Sequence, residues 1–202
     1  MDPLPLILAS ASPRRRELLD QIGVHFQTSP ADICELPRVH ESAHEYTARL
    51  AREKAQTVFA RQTVPCAVLG SDTTVAIDGD ILGKPADEAD AVTMLMRLSG
   101  RVHEVMTAVA LCTGQGCDVQ VVTSRVEFIP YNEALCRRYW RTGEPADKAG
   151  AYGIQGAAGM LVRHIEGSYS AIVGLPLCET AALLSEHGIP VWQFTEQEGS
   201  GG

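Results

Sequence analysis

The sequence has few aromatic side chains, no surplus of positive charge and no long apolar run. Phe, Trp and Tyr make up 5% of the 202 residues, and acidic side chains outnumber basic ones, for a formal net charge of −8. That balance argues against a general nucleic-acid binder, which normally presents a basic surface to the phosphate backbone. No stretch approaches the roughly eighteen consecutive apolar residues of a membrane-spanning helix, and the sequence does not open on a basic segment followed by an apolar one. We therefore expect no nucleic-acid partner, no membrane contact and a cytoplasmic location.

Several chemical signatures are also missing. Neither a GxGxxG run nor a P-loop occurs. The cysteines show neither a CxxC pair nor zinc-ligand spacing, and several lie within apolar runs. Reduced thiols in the core are therefore the expectation for Cys34, Cys66, Cys112, Cys117, Cys136 and Cys178.

The stretch LILASASPRRRELL, residues 6–19, contains the strongest local signal that is present. Its short apolar run at 6–8 predicts a buried strand that ends at Ala9, and Ser12 followed by proline predicts the start of a helix. Arg14, Arg15 and Arg16 fall in the first turn, where free N–H groups and the helix dipole already disfavour cations. Arg14 and Arg15, with the Ser10 hydroxyl, therefore indicate a phosphate site, and Arg16 is expected to be solvated.

Three further charged residues stand out along the chain. Ser42 and Glu45 fit a capping box that opens a helix to about residue 60, and Lys54 inside that helix is, by position alone, expected to be solvated. Asp72 lies between apolar runs, so it is either exposed at a bulge or paired in the interior. Lys84 sits in a Gly-Lys-Pro turn.

The remaining pattern alternates between strands and helices. A hairpin through 114–116, a helix over 132–141, strands at 160–165 and 170–173, and a helix over 176–187 are predicted. The glycine-rich segment 148–159 predicts a backbone that approaches another group closely. We expect an α/β fold with a mixed, twisted sheet flanked by helices. We also expect one domain over residues 1–192, with room for two lobes, and a flexible tail over residues 193–202.

Five motifs in this order resemble those of the Maf family of nucleoside triphosphate pyrophosphatases. They read SASPRR, LAREKA, GSDT, GKP and KAGAYGIQG, and the resemblance spans roughly residues 6–192. It implies an architecture similar to the inosine triphosphatases, with a nucleotide cleft. It also implies hydrolysis of a nucleoside triphosphate to the monophosphate and pyrophosphate with a divalent cation, Mg²⁺ or Mn²⁺.

The resemblance also assigns roles to residues. Asp72 matches the catalytic carboxylate, and Glu35 in the acidic loop would share the metal with it. The triphosphate would be held by Ser10, Arg14, Arg15, Lys54 and Lys84. Whether Asp72 binds the metal, orients the water or accepts its proton stays open at this point, as does a homodimeric or monomeric state.

Three separated positions resemble the subgroup of the family that acts on dTTP and UTP rather than on 7-methyl-GTP. They are Arg14, Thr73 and Gln155, and Arg14 has the alternative role of contacting phosphates only. A neutral amide at Gln155 can both donate to and accept from a uracil or thymine edge, whereas a glutamate would suit a positively charged methylated purine. The sequence therefore predicts a dTTP/UTP pyrophosphatase. A nucleotide sensor that binds a triphosphate without turnover is the second hypothesis.

Overall fold

A seven-stranded mixed sheet lies at the centre of the protein. The computed structural model describes residues 3–194, and within that range the strands are β1 (Leu6–Leu8), β2 (Gln27–Thr28), β3 (Ala67–Ile77), β4 (Asp80–Leu82), β5 (Val102–Thr113), β6 (Gly116–Phe128) and β7 (Val162–Glu166). The order across the sheet is β2-β1-β3-β5-β6-β7, with β4 also paired to β3. β1 runs parallel to β2 and β3, and the other pairs are antiparallel.

Six helices surround this sheet in the described part of the chain. They are α1 (Pro13–Gln21), α2 (Ala43–Phe59), α3 (Glu88–Leu98), α4 (Glu133–Trp140), α5 (Tyr169–Val173) and α6 (Leu177–Glu186). The segment between α4 and β7 contains three short 3₁₀ turns, at Glu144–Asp147, Ala149–Ala151 and Ala157–Leu161. The predicted class, an α/β fold with a mixed sheet flanked by helices, is confirmed.

The core is built on both faces of the sheet, because side chains alternate along each strand. On one face, Ala51, Ala55 and Val58 of α2 pack against Val68 of β3 and Ala110 of β5. The opposite face carries two apolar clusters. One contains α1, α6 and the start of β3, and the other contains α3, α4 and the end of β3.

Local signals in the sequence predicted most of these elements. Ser42 and Glu45 form both hydrogen bonds of the capping box at the start of α2. The hairpin turn at 114–116 joins β5 to β6 as expected. Ser12 is the N-cap of α1, although its hydroxyl makes no capping hydrogen bond within residues 3–194.

The predictions for one strand and for four of the six cysteines were wrong. Residues 170–173 were expected to form a strand but lie in helix α5, whose N-cap Ser168 accepts a hydrogen bond from the Ala171 N–H; short apolar runs do not separate the two states by periodicity. Cys112 and Cys117 were expected to be reduced, but they lie opposite each other across the β5–β6 hairpin and form a disulfide. Of the other cysteines, Cys66 and Cys136 are free and buried, as expected, whereas Cys34 and Cys178 are free and exposed rather than in the core.

The predicted tail begins at residue 193, and most of it lies outside the described residues. Gln193 is described, and its N–H donates to the Gly23 carbonyl at 2.8 Å. Residues 195–202 fall outside the described range, so a flexible tail stays a prediction.

Candidate functional site

A cleft of about 870 Å³ opens where β1, the middle of β3 and the glycine-rich segment approach one another. Clefts of this size suit ligands as large as a nucleotide. Every site residue proposed from the sequence lines it: Ser10, Arg14, Arg15, Glu35, Lys54, Asp72, Thr73, Lys84 and Gln155. Tertiary folding therefore collects into one cavity residues that are up to 145 positions apart in the chain.

Lys54 lies between two carboxylates at the centre of the cleft. Its Nζ is 2.7 Å from Asp72 Oδ1 and 2.6 Å from Glu35 Oε1. Lys54 is only 8% exposed, so the expectation of a solvated lysine is wrong. The physical reason is its place on α2, where Lys54 shares the inward-facing side of the helix with Leu50, Ala51 and Ala55 and is carried against β3.

The second oxygen of Asp72 has a different environment. Thr74 Oγ1 lies 3.4 Å from Asp72 Oδ2, and the buried Thr47 hydroxyl lies 2.8 Å from Thr74 Oγ1. Asp72 itself is 7% exposed, so it is paired in the interior rather than exposed at a bulge. The long contact at Oδ2 leaves that oxygen with acceptor capacity for a ligand or a water.

Charge and burial act in opposite directions on the two carboxyl groups. Burial raises the pKa of Asp72 above its ordinary value, and the charges of Lys54 and Arg15 limit that rise. Burial also opposes ionisation of Glu35, but the hydrogen bond and charge of Lys54 outweigh it, so the pKa of Glu35 lies below its ordinary value. Asp72 is therefore more basic, and Glu35 less basic, than an ordinary carboxylate, and both contact the same cation, Lys54.

Arg15 is held in place by three contacts to the protein. Nε donates to the Gly174 carbonyl at 2.9 Å, Nη1 to Ser10 Oγ at 3.2 Å and Nη2 to Thr73 Oγ1 at 3.3 Å. A guanidinium carries five N–H groups, so two have no partner among the described residues. Arg15 is thus oriented before any ligand binds, with donors to spare.

Gln155 lies at the tip of a turn in the glycine-rich segment. The Gly156 N–H donates to the Gly153 carbonyl at 3.1 Å, which makes Gln155 one of the two central residues of the turn. The same segment is anchored at Gly150, whose N–H donates to the Gly83 carbonyl at 3.0 Å. A Cβ on Gly150 would lie 2.9 Å from Val75 Cγ1, so the predicted close approach of this backbone is confirmed.

Residues 5–187 match the family described as Maf-like protein. The chain belongs to the Maf family. A dTTP/UTP pyrophosphatase from Hahella chejuensis is 56% identical over 189 residues, which cover 93% of this chain and 94% of the relative. A dTTP/UTP pyrophosphatase from Colwellia psychrerythraea is 51% identical over 187 residues, which cover 91% and 88%. The resemblance to the family that the motifs indicated is therefore confirmed.

Among solved structures, a nucleoside-triphosphatase / dITP/XTP pyrophosphatase from Mycobacterium abscessus is similar to this Maf protein at a TM-score of 0.40. It is 18% identical, and the similarity covers 62% of this chain and 74% of that one. The fold class is carried by the strand order and helices described above.

Residues that the sequence did not single out contact side chains that line the cleft of this Maf protein. The buried Thr107 hydroxyl on β5 donates to Thr73 Oγ1 at 3.0 Å. The Tyr139 hydroxyl on α4 donates to Glu144 Oε1 at 2.6 Å. No spacing signal links these residues to the motifs, because their partners lie on other elements.

The donor set at Lys54 is compatible with a divalent cation. Asp72 Oδ1 and Glu35 Oε1 both contact Lys54 Nζ, so the two carboxylates lie near each other, and oxygen donors are what Mg²⁺ and Mn²⁺ prefer. No cluster of three or more His, Cys, Asp or Glu suited to a metal occurs among residues 3–194. Two carboxylates are nevertheless enough for Mg²⁺ when substrate phosphates supply further ligands.

None of the helices in the described range has the length and apolar content to cross a membrane.

Proposed function

We propose that this Maf protein hydrolyses dTTP and UTP to the monophosphate and pyrophosphate. The observation that carries the proposal is the pairing of the buried Asp72 with Lys54 in a cleft that also presents Arg15. The names of relatives that are more than 50% identical over most of their length support the same reaction. They also favour turnover over the sensor hypothesis.

The cations of the cleft would bind the triphosphate. The cleft is lined by the residues proposed to hold the triphosphate near the start of α1 and at the Gly83-Lys84 turn: Ser10, Arg14, Arg15 and Lys84. Attack of water on the α-phosphorus places negative charge on the equatorial and leaving oxygens, and fixed cations stabilise that charge without reorganisation. Arg15, which three protein contacts already orient, is suited to this task.

Asp72 would act on the attacking water. Lys54 holds its Oδ1, while Oδ2 keeps acceptor capacity and can take a proton from water or orient it. An ordinary aspartate is a weak base at neutral pH, and burial that raises the pKa of Asp72 improves it in that role. Asp72 and Glu35 would also hold Mg²⁺ or Mn²⁺, which would supply further charge compensation on the phosphates.

Gln155 would read the base. It is exposed at the tip of its turn and lines the cleft, and its amide offers both a donor and an acceptor. Arg14 lines the same cleft, and either of its two proposed roles, contacting the phosphates or selecting the base, is compatible with that position. Thr73 is engaged with Arg15 and Thr107, so its hydroxyl would act on the substrate partly through Arg15.

The experiment is a screen of triphosphates with Mg²⁺ or Mn²⁺, in which pyrophosphate and orthophosphate are assayed separately. We expect pyrophosphate as the first product and higher kcat/KM for dTTP and UTP than for 7-methyl-GTP. Gln155→Glu should lower that discrimination by roughly 1–3 kcal/mol, the range for one misfitted polar contact. Orthophosphate and a diphosphate as first products would contradict the proposed reaction. Equal kcat/KM for dTTP and 7-methyl-GTP would contradict only the base preference. Tight binding without turnover would favour a sensor.

The cytoplasmic location and the choice between a homodimer and a monomer also remain predictions. Cell fractionation would test the first, and size-exclusion chromatography with light scattering would test the second.

A further inference from the structure

The turn that carries Gln155 is held at both ends by one connected pair of side chains. At its start, the Gly153 N–H donates to the Tyr139 hydroxyl at 3.1 Å. Just past its end, the Ala157 N–H donates to Glu144 Oε2 at 3.0 Å. The Tyr139 hydroxyl in turn donates to Glu144 Oε1 at 2.6 Å. We call Tyr139 and Glu144 the loop clamp.

The backbone lies directly against the clamp. A Cβ on Gly156 would lie 2.1 Å from Glu144 Oε1, so any side chain there would displace the Glu144 carboxylate from its present position. Tyr139 is 7% exposed and packs within the core cluster of α3 and α4. The clamp therefore connects the turn to the rigid interior, while Gln155 itself stays exposed to the cleft.

We propose that Tyr139 and Glu144 are positioning residues that place the Gln155 amide and thereby set the base discrimination of the site. This inference rests on the proposed function, because it concerns how the same cleft selects a base. An amide recognises a base edge only when it is held close to the required distance and direction. A turn of two central residues between glycines has little stiffness of its own, and the clamp supplies it.

A competing explanation is that Glu144 contacts the substrate directly, since it also lines the cleft. The two explanations differ in what the carboxylate must provide. A clamp needs an oxygen that accepts from Ala157 and a polar partner for Tyr139, and a glutamine provides both through its carbonyl and its amide group. A direct electrostatic contact needs the negative charge, which a glutamine lacks.

The test uses four variants of the full chain: Tyr139→Phe, Glu144→Gln, Glu144→Ala and, as a matched control, Tyr131→Phe. Tyr131 lies beside the same core cluster, and its hydroxyl donates to the Leu95 carbonyl at 2.8 Å, away from the turn. For each, kcat and KM are measured with dTTP, UTP and 7-methyl-GTP at saturating Mg²⁺. The Kd for α,β-imido-UTP and the melting temperature are measured in parallel.

We expect Tyr139→Phe and Glu144→Ala to raise KM for dTTP and the Kd for the imido analogue by about tenfold, the effect of losing one well-placed hydrogen bond. Their kcat should stay within about threefold of wild type, because the phosphate site is unchanged, and the preference for dTTP over 7-methyl-GTP should fall. Glu144→Gln should restore most of the wild-type KM. Tyr131→Phe should match wild type in all kinetic values, whatever its melting temperature.

Two results would overturn the clamp. One is a wild-type preference and KM in Tyr139→Phe, and the other is a Glu144→Gln variant as impaired as Glu144→Ala, which would assign the effect to the charge. If Glu144→Ala does not fold, Tyr139→Phe and Glu144→Gln decide alone. A wild-type protein that binds the imido analogue but releases no pyrophosphate would contradict the proposed function, and the Kd series would still decide the clamp.

Discussion

Arg15→Lys is the substitution for which the structure makes the sharpest prediction. It keeps the positive charge at the start of α1 but replaces a planar group with five donors by a single ammonium. The three contacts of Arg15 point to Gly174, Ser10 and Thr73, at 2.9, 3.2 and 3.3 Å. One ammonium cannot reach three such partners and a phosphate at once.

The expected loss follows from those contacts. The contacts to the Ser10 and Thr73 hydroxyls are long, so we assign each the lower part of the range for a net hydrogen bond, about 0.5–1 kcal/mol. Loss of the fork geometry toward a phosphate adds about 1–2 kcal/mol. The total of about 2–4 kcal/mol corresponds to a fall in kcat/KM of about 30- to 800-fold for dTTP.

The matched control is Arg14→Lys, one residue earlier in the same turn. Arg14 lines the cleft, but no hydrogen bond or ion pair of its side chain occurs among residues 3–194. Its replacement should cost less than about fivefold, since charge without fixed geometry is what a lysine also provides. Steady-state kinetics with a pyrophosphate-coupled assay, together with melting temperatures, measures both variants. Equal losses in the two variants would refute the argument that preorganisation of Arg15 matters.

Three further predictions concern catalysis and stability. Asp72→Asn should lower kcat by about a hundredfold or more in a folded protein, and near-normal turnover would move the catalytic role elsewhere, with Glu35 the next candidate. His103 is 1% exposed, and burial lowers its pKa to about 4. At pH 5 the imidazole is therefore neutral in the folded protein but takes up a proton on unfolding. The free energy of unfolding should fall by about 1–2 kcal/mol between pH 7 and pH 5. Urea titrations at both pH values measure this fall, which His103→Gln should largely remove. Ser42→Ala should lower the free energy of unfolding by about 1 kcal/mol, because it removes the capping box, and should leave kcat unchanged. A lower kcat would contradict the view that this cap only stabilises α2.

Much of the fold followed from signals within short stretches. The capping box at Ser42, the proline after Ser12 and the hairpin turn at 114–116 all act between neighbouring residues, and each forms where the sequence predicts it. Asp78 and Gly79 adopt φ of 56° and 84°, as a tight hairpin turn between β3 and β4 requires. Such features depend on backbone geometry that a few residues decide by themselves.

Other features depended on contacts that the pattern of residue types did not reveal. The strand predicted at 170–173 is a helix because Ser168 caps it, a choice that apolar periodicity over four residues cannot make. The Cys112–Cys117 disulfide depends on hairpin register, which pairs those residues directly. In both cases the deciding information is a contact rather than a composition.

The sequence by itself determined which residues are candidates for the site, because five motifs in a fixed order resemble one family, and all nine candidates line the cleft. Only the tertiary structure decided how those residues are used. Lys54, which was expected to be solvated, is the shared partner of Asp72 and Glu35 in the folded protein. Tyr139 and Glu144 contact the two ends of the turn that carries Gln155. The physical reason is that burial and ion pairing depend on which elements pack together. A single sequence does not specify the distances between side chains that lie tens of residues apart.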